Sequence, residues 1–330
     1  QETGEAGGYA RQGQSGPVTM IEVWPYCSRS LVSDTDTGMT TRFFGATMLV
    51  VLAMVTLLAA QDSNLIALGA KVERVATGFG FLEGPAADAD GNLYFSDVVN
   101  ERIHRWSPET GITVFRERTG QANGLRVDLD GTLLVCEMAN RQLTAIDQEG
   151  RLTILADRYE GQRLNSPNDL WVDPRGGIYF SDPRYGPTDD QEIKGNHVYY
   201  LSPDRETLLR VTDDLIQPNG IVGTPDGSRV YIADQGAGRL WAYRPEADGA
   251  LRDKRLFVSQ GADGMTMDER GNLYLTGQDI TIFDPTGRQI GSIATPEPPA
   301  NLAFGGPDGT TLFITARRSL YRVEMLVTGQ

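Results

Sequence analysis

Residues 164–186 read LNSPNDLWVDPRGGIYFSDPRYG. A polar pair, Asn168-Asp169, opens the stretch and leads into an apolar run. Along that run Leu170 and Val172 share one face and Trp171 takes the other, the two-residue period of a strand. Arg175-Gly176-Gly177 then forms a turn, and Ile178-Tyr179-Phe180 returns to Ser181-Asp182. The third and fourth strands of the unit are expected at residues 197–201 and 207–212.

The same plan occurs six times, opened by Glu83, Asn123, Asn168, Asn219, Asp263 and Asn301. Each copy places a turn glycine eight positions later, at Gly91, Gly131, Gly176, Gly227, Gly271 and Gly309. Openers are separated by 40, 45, 51, 44 and 38 residues, the period of propeller blades. Asp-Gly pairs at 90–91, 130–131, 226–227 and 308–309 are hairpin signals, and no helical period is evident after residue 61. The fold class is therefore all-β, a six-bladed β-propeller. The last repeat supplies only three strands where a blade needs four. Residues 72–76 alternate like a strand but precede the first opener, so they should pair into the last blade and close the ring. Residues 183–195 are too polar for a core and should form a loop over one mouth, while 295–300, TPEPPA, should cross into the last blade.

Composition narrows the function. With 40% apolar residues the chain can fill a large core, and at 61–330 a closed repeat array can form one domain. The net charge of −14 comes with no basic stripe, which argues against a nucleic-acid surface. From Met39, one Arg and the uncharged apolar run 43–58 lead to Ala59-Ala60, the pattern of a signal peptide over 39–60. The run of 19 uncharged residues to Gln61 also suits a retained anchor. Cleavage would leave a periplasmic or secreted protein without membrane attachment. Residues 1–38 are read as upstream sequence foreign to the native product. Cys136 is then the lone cysteine, set after an apolar run, and reads as a small core residue.

The innermost strand of each blade lines the central channel, so six equivalent openers converge on one axis. All six carry side-chain oxygen, and none is His or Cys. Two carboxylates among amide carbonyls make a hard-oxygen cage suited to Ca²⁺ and, less strictly, to Mg²⁺ or Mn²⁺. Zn²⁺ prefers nitrogen or sulfur, although oxygen cages accept several ions. Asn or Asp before Gly is ordinarily a turn device. Glu83 is a poor turn former, and the openers precede the inner strands instead of occupying the hairpins.

The motifs LEGP at 82–85, NSPND at 165–169, PNG at 218–220 and DGM at 263–265 resemble those of gluconolactonases, regucalcin (senescence marker protein) and related lactonases. The ending at 300–323 is similar to that of bacterial gluconolactonases, and the resemblance runs over about residues 72–324. It implies a six-bladed propeller with one divalent cation in the channel, held by Glu83, Asn168, Asn219 and Asp263. It also implies that Asp263 transfers protons and that Asn168 can serve the substrate instead of the cation. Asn123 is read as a pocket residue that binds substrate, and Asn301 as structural. Animal regucalcins place a substrate-contacting Arg where this chain has Ser166, so their sugar contacts do not carry over.

A hard cation at the pocket floor would stabilise the oxyanion formed when water attacks a lactone carbonyl. Asp263 would accept or return the proton. The expectation is a metal-dependent hydrolase that opens a gluconolactone-like sugar lactone to its aldonic acid, with no protein partner. Two rivals share the site: a hydrolase of phosphotriesters, and a propeller that binds a ligand without catalysis.

Overall fold

The structure is a computed structural model and describes residues 65–330. The expected signal peptide and upstream segment lie outside the described residues. Five blades are four-stranded sheets formed in chain order, with first strands Leu82–Ala87, Ala122–Val127, Leu170–Val172, Pro218–Gly223 and Met265–Met267. The sixth combines Asn301–Gly305, Thr311–Ala316 and Ser319–Glu324 with the first strand of the described chain, Glu73–Thr77. Glu73 pairs with Arg322 and Thr77 with Ser319, which closes the ring as the sequence predicts.

Each blade is buried on both faces near the axis and solvated at its rim. In blade 1 the second strand, Leu93–Asp97, is almost wholly buried, whereas the outermost, Gly111–Glu117, is mostly exposed. Trp171 shows why strict alternation of burial fails here. It points away from Leu170 and Val172, yet all three are buried, because Trp171 packs beneath Gly223 of the next blade. A Cβ on Gly223 would lie 2.4 Å from the indole ring. In blade 3 the third and fourth strands are Asn196–Leu201 and Leu208–Leu215, the last running three residues beyond the sequence estimate. Cys136 is fully buried in the core between blades, and burial pushes its thiol up.

The first strands are irregular at their openings. Pairing with the second strand slips between Glu83 and Ala86, between Ala122 and Leu125, and between Pro218 and Ile221. Such bulges free a residue from the ladder and re-aim its side chain. In blades 3 and 5 the regular strand starts two residues after the opener, at Leu170 and Met265. In blades 2 to 5, therefore, the opener lies outside the paired register, whereas Glu83 and Asn301 remain in it, opposite Ser96 and Thr315.

Candidate active site

The openers meet through the residues that follow them. Gly84, Gly124, Gly220 and Gly264 each lie against the opener of the next blade. A Cβ would fall 2.0 Å from Asn123 O at Gly84, 2.5 Å from Asn168 O at Gly124, and 2.8 Å from Asp263 O at Gly220. At Gly264 it would fall 2.1 Å from Asn301 Cγ. These glycines follow the openers because a side chain would hold neighbouring blades apart at the axis. Gly124 N also donates to Asn168 O at 2.7 Å, which binds blade 2 to blade 3.

Within this ring Asn219 and Asp263 touch: Asn219 Nδ2 donates to Asp263 Oδ1 at 2.7 Å. Glu83 is buried, and its own Oε2 accepts from Gly84 N at 3.1 Å. Burial raises the Glu83 pKa well above the carboxylate range, and the nearby Asp263 charge raises it further. Burial likewise raises that of Asp263, opposed by the Asn219 hydrogen bond and the Arg317 charge. Asn301 is tied to structure through its Oδ1, which accepts from Leu302 N at 2.8 Å. Asn123 and Asn168 hold their places on the ring through backbone contacts, and among the described residues no hydrogen bond joins their amides to either carboxylate. The Asn123 amide turns instead to Met138 Sδ at 3.3 Å.

Four neighbours carried no assigned role in the sequence. Tyr185, on the loop at 183–195, accepts from Asn219 Nδ2 at 2.7 Å, so the loop does reach the mouth. Gln235 Oε1 accepts from both Tyr185 and Asn219, each at 3.2 Å. Arg317 lines the cavity beside Asp263. Asp169 is a third buried carboxyl, standing where four other blades have glycine. Burial pushes its pKa up to about 7, against hydrogen bonds from Leu170 N and Ile221 N. Its position in the polar pair with Asn168 was the one available signal. Tyr185 lies on an insertion, and Gln235 and Arg317 sit on the turns after second strands, where residue type differs from blade to blade, so no shared residue type marks them.

The residues present suit a hard cation. Glu83 is buried and Asp263 half-buried, and two such like charges side by side are costly unless protons or a cation neutralise them. Around Asn219 Nδ2, which carries two hydrogens, stand three oxygens, from Asp263, Tyr185 and Gln235. Rotating that amide by half a turn would present Oδ1 to the same space, as a cation requires. Among the described residues no group of three or more His, Cys, Asp and Glu is placed to hold a metal ion. A cage here would have to take half its donors from amides, the composition that favours Ca²⁺ over Zn²⁺.

Comparison with known proteins agrees with this architecture. Residues 81–318 match the SMP-30/gluconolactonase/LRE-like region. The gluconolactonase of Zymomonas mobilis is 32% identical over 78% of this chain and 82% of its own length. A gluconolactonase structure from Xanthomonas campestris superposes with a TM-score of 0.74 at 32% identity, covering 80% of this chain and 91% of that one. Regucalcin from Agrobacterium tumefaciens, a calcium-binding protein, shares the fold at a TM-score of 0.67 and 21% identity, covering 78% of this chain and 94% of its own. The chain belongs to the SMP-30/gluconolactonase/LRE-like family, and it is an enzyme of the lactonase kind.

Proposed function

We propose that the protein hydrolyses a gluconolactone-like sugar lactone at the axial cluster, using a divalent cation held by Glu83, Asn168, Asn219 and Asp263. The observation that carries this reading is the contact of Asn219 with Asp263 inside a buried, acid-rich ring of openers. When bound, the cation supplies Lewis acidity toward the carbonyl oxygen, and Ca²⁺ suits the donors best. Asp263 takes the proton of the attacking water and can return it to the departing ring oxygen. Without the cation Asn219 Nδ2 donates to Asp263, Tyr185 and Gln235, and as a ligand Asn219 would turn its Oδ1 to the ion in place of those contacts. Asn123 and Asn168 offer amides to the substrate from the blade 2 and blade 3 side. The apolar run at 43–58 supports export, so the enzyme would work in the periplasm or outside the cell.

A pH-stat assay of D-glucono-1,5-lactone tests the reading. Turnover should fall at least about 100-fold after exhaustive chelation and return on adding Ca²⁺. Full turnover in chelated protein would refute the metal role, and hydrolysis of phosphotriesters alone would refute the substrate class.

A further inference from the structure

We propose that Arg317 is a specificity-determining residue, which binds the hydroxyl groups of the lactone and selects polyhydroxylated rings over unsubstituted ones. This deepens the lactonase reading and rests on it.

A cavity of about 310 Å³ lies beside Asp263, bounded by Phe81, Gln235, Pro298, Pro299 and Arg317 among others. That volume is at the lower end for small-molecule pockets, enough for one monosaccharide-sized ring. Its walls differ in chemistry. Phe81 and the two prolines offer apolar surface to the C–H face of a ring. Gln235 has its Oε1 engaged by Tyr185 and Asn219, which leaves Nε2 as a donor. Arg317 is exposed, and its guanidinium lies 5.8 Å from the centroid of the Phe81 ring. A planar fork of N–H donors over an aromatic face is well matched to a ring carrying several hydroxyl acceptors.

The backbone of Arg317 explains its position without explaining its side chain. It lies in the hairpin between Thr311–Ala316 and Ser319–Glu324, with φ at 50°. The matching hairpins of blades 1, 2 and 4 hold Glu101, Arg141 and Gly238, all with positive φ. The turn thus imposes the left-handed conformation whatever the residue, and each blade is free to use the side chain differently. Arg141 spends its guanidinium on structure: Nε donates to Leu164 O, and Nη1 to Asp190 O at 3.0 Å. Gly238 sits on the same cavity as Arg317 and adds no side chain to it. Blade 6 alone among these hairpins therefore directs a cationic side chain into the space next to Asp263.

A structural alternative makes a different prediction. If Arg317 served only to moderate the Asp263 charge, its loss would affect every lactone equally. The test compares kcat/KM for D-glucono-1,5-lactone and for δ-valerolactone, which has the same ring without hydroxyls, at saturating Ca²⁺. Arg317→Met should lower the ratio of the two about 10-fold or more, through a higher KM for gluconolactone. Arg317→Lys, which keeps the charge and loses the fork, should fall between. Arg318→Met, one residue along the same turn, should leave the ratio at the wild-type value. Equal losses on both lactones, or an unchanged ratio in Arg317→Met, would overturn the proposal. Wild-type protein inert toward both lactones would instead overturn the lactonase reading, and this proposal with it.

Discussion

Asp263 combines three properties that rarely coincide in one side chain. It is half-buried, it accepts a short hydrogen bond from Asn219, and it stands near a buried carboxyl, Glu83. Replacing it by Asn keeps the shape and removes one of two like charges. Asp263→Asn should therefore lose about 100- to 10,000-fold in kcat on gluconolactone, the usual worth of a general base. In chelator its melting temperature should match or exceed that of the parent protein, because one of two neighbouring like charges has gone. A variant that is inactive and also less stable in chelator would assign Asp263 a structural role. The opener pattern made this residue legible in the sequence, since the repeat fixed its place and its chemistry followed from its type. Tyr185, Gln235 and Arg317 could not be read in that way. Each reaches the site from a loop or hairpin whose path depends on how whole blades pack, and no residue type shared between blades marks them.

Where blades meet at the axis, the first strands approach so closely that glycine after the opener becomes a packing requirement. Asn-Gly and Asp-Gly suggest a hairpin turn when taken locally. In this ring the hairpin glycines are the ones eight residues after the opener, and the two kinds respond differently to substitution. Gly176 has φ at 89°, and a Cβ there would meet nothing within 4 Å, so Gly176→Ala should cost about 1–2 kcal/mol from backbone strain alone. Gly84 has φ at 42°, and a Cβ there would lie 2.0 Å from the Asn123 carbonyl oxygen. Gly84→Ala should cost about 1–3 kcal/mol more than Gly176→Ala, because a neighbouring backbone must move. It should also weaken Ca²⁺ binding, since Glu83 is the adjoining residue. Urea unfolding of both variants, with calcium titration of each, checks the pair. Equal costs would mean that the axial contact is easily relaxed. The ring closure by Glu73–Thr77 was legible for a simpler reason: a blade one strand short and a spare strand at the other end of the array leave little choice.

Across the whole molecule, two sets of buried groups pull stability in opposite directions as pH changes. Asp169 and Asp182 have pKa values raised by burial from 3.8 to about 7, and Glu83 and Asp263 are raised as well. An acid whose folded pKa lies above its unfolded value holds its proton longer in the folded state. Its contribution is therefore fully present at low pH and is lost as pH rises through the folded value. Both histidines of the chain, His104 and His197, are buried with lowered pKa values, burial being the main cause. For them the unfolded state takes protons first, so stability is lost as pH falls below the ordinary histidine range of about 6.5. Four acids against two histidines, two of the acids raised to about 7, should leave the acids dominant above pH ~6. Chelated protein should accordingly melt at a lower temperature at pH ~8 than at pH ~6. Calcium bound at the axis would reverse the balance there, because a cation favours ionised Glu83 and Asp263 over their protonated forms. The rise in melting temperature on adding Ca²⁺ should then be larger at pH ~8 than at pH ~6, where protons compete for the same oxygens. Differential scanning fluorimetry at both pH values, with and without chelator, decides the matter. A calcium-induced rise that is the same at both would mean that the ion binds away from the buried carboxyls, and the axial site would have to be abandoned.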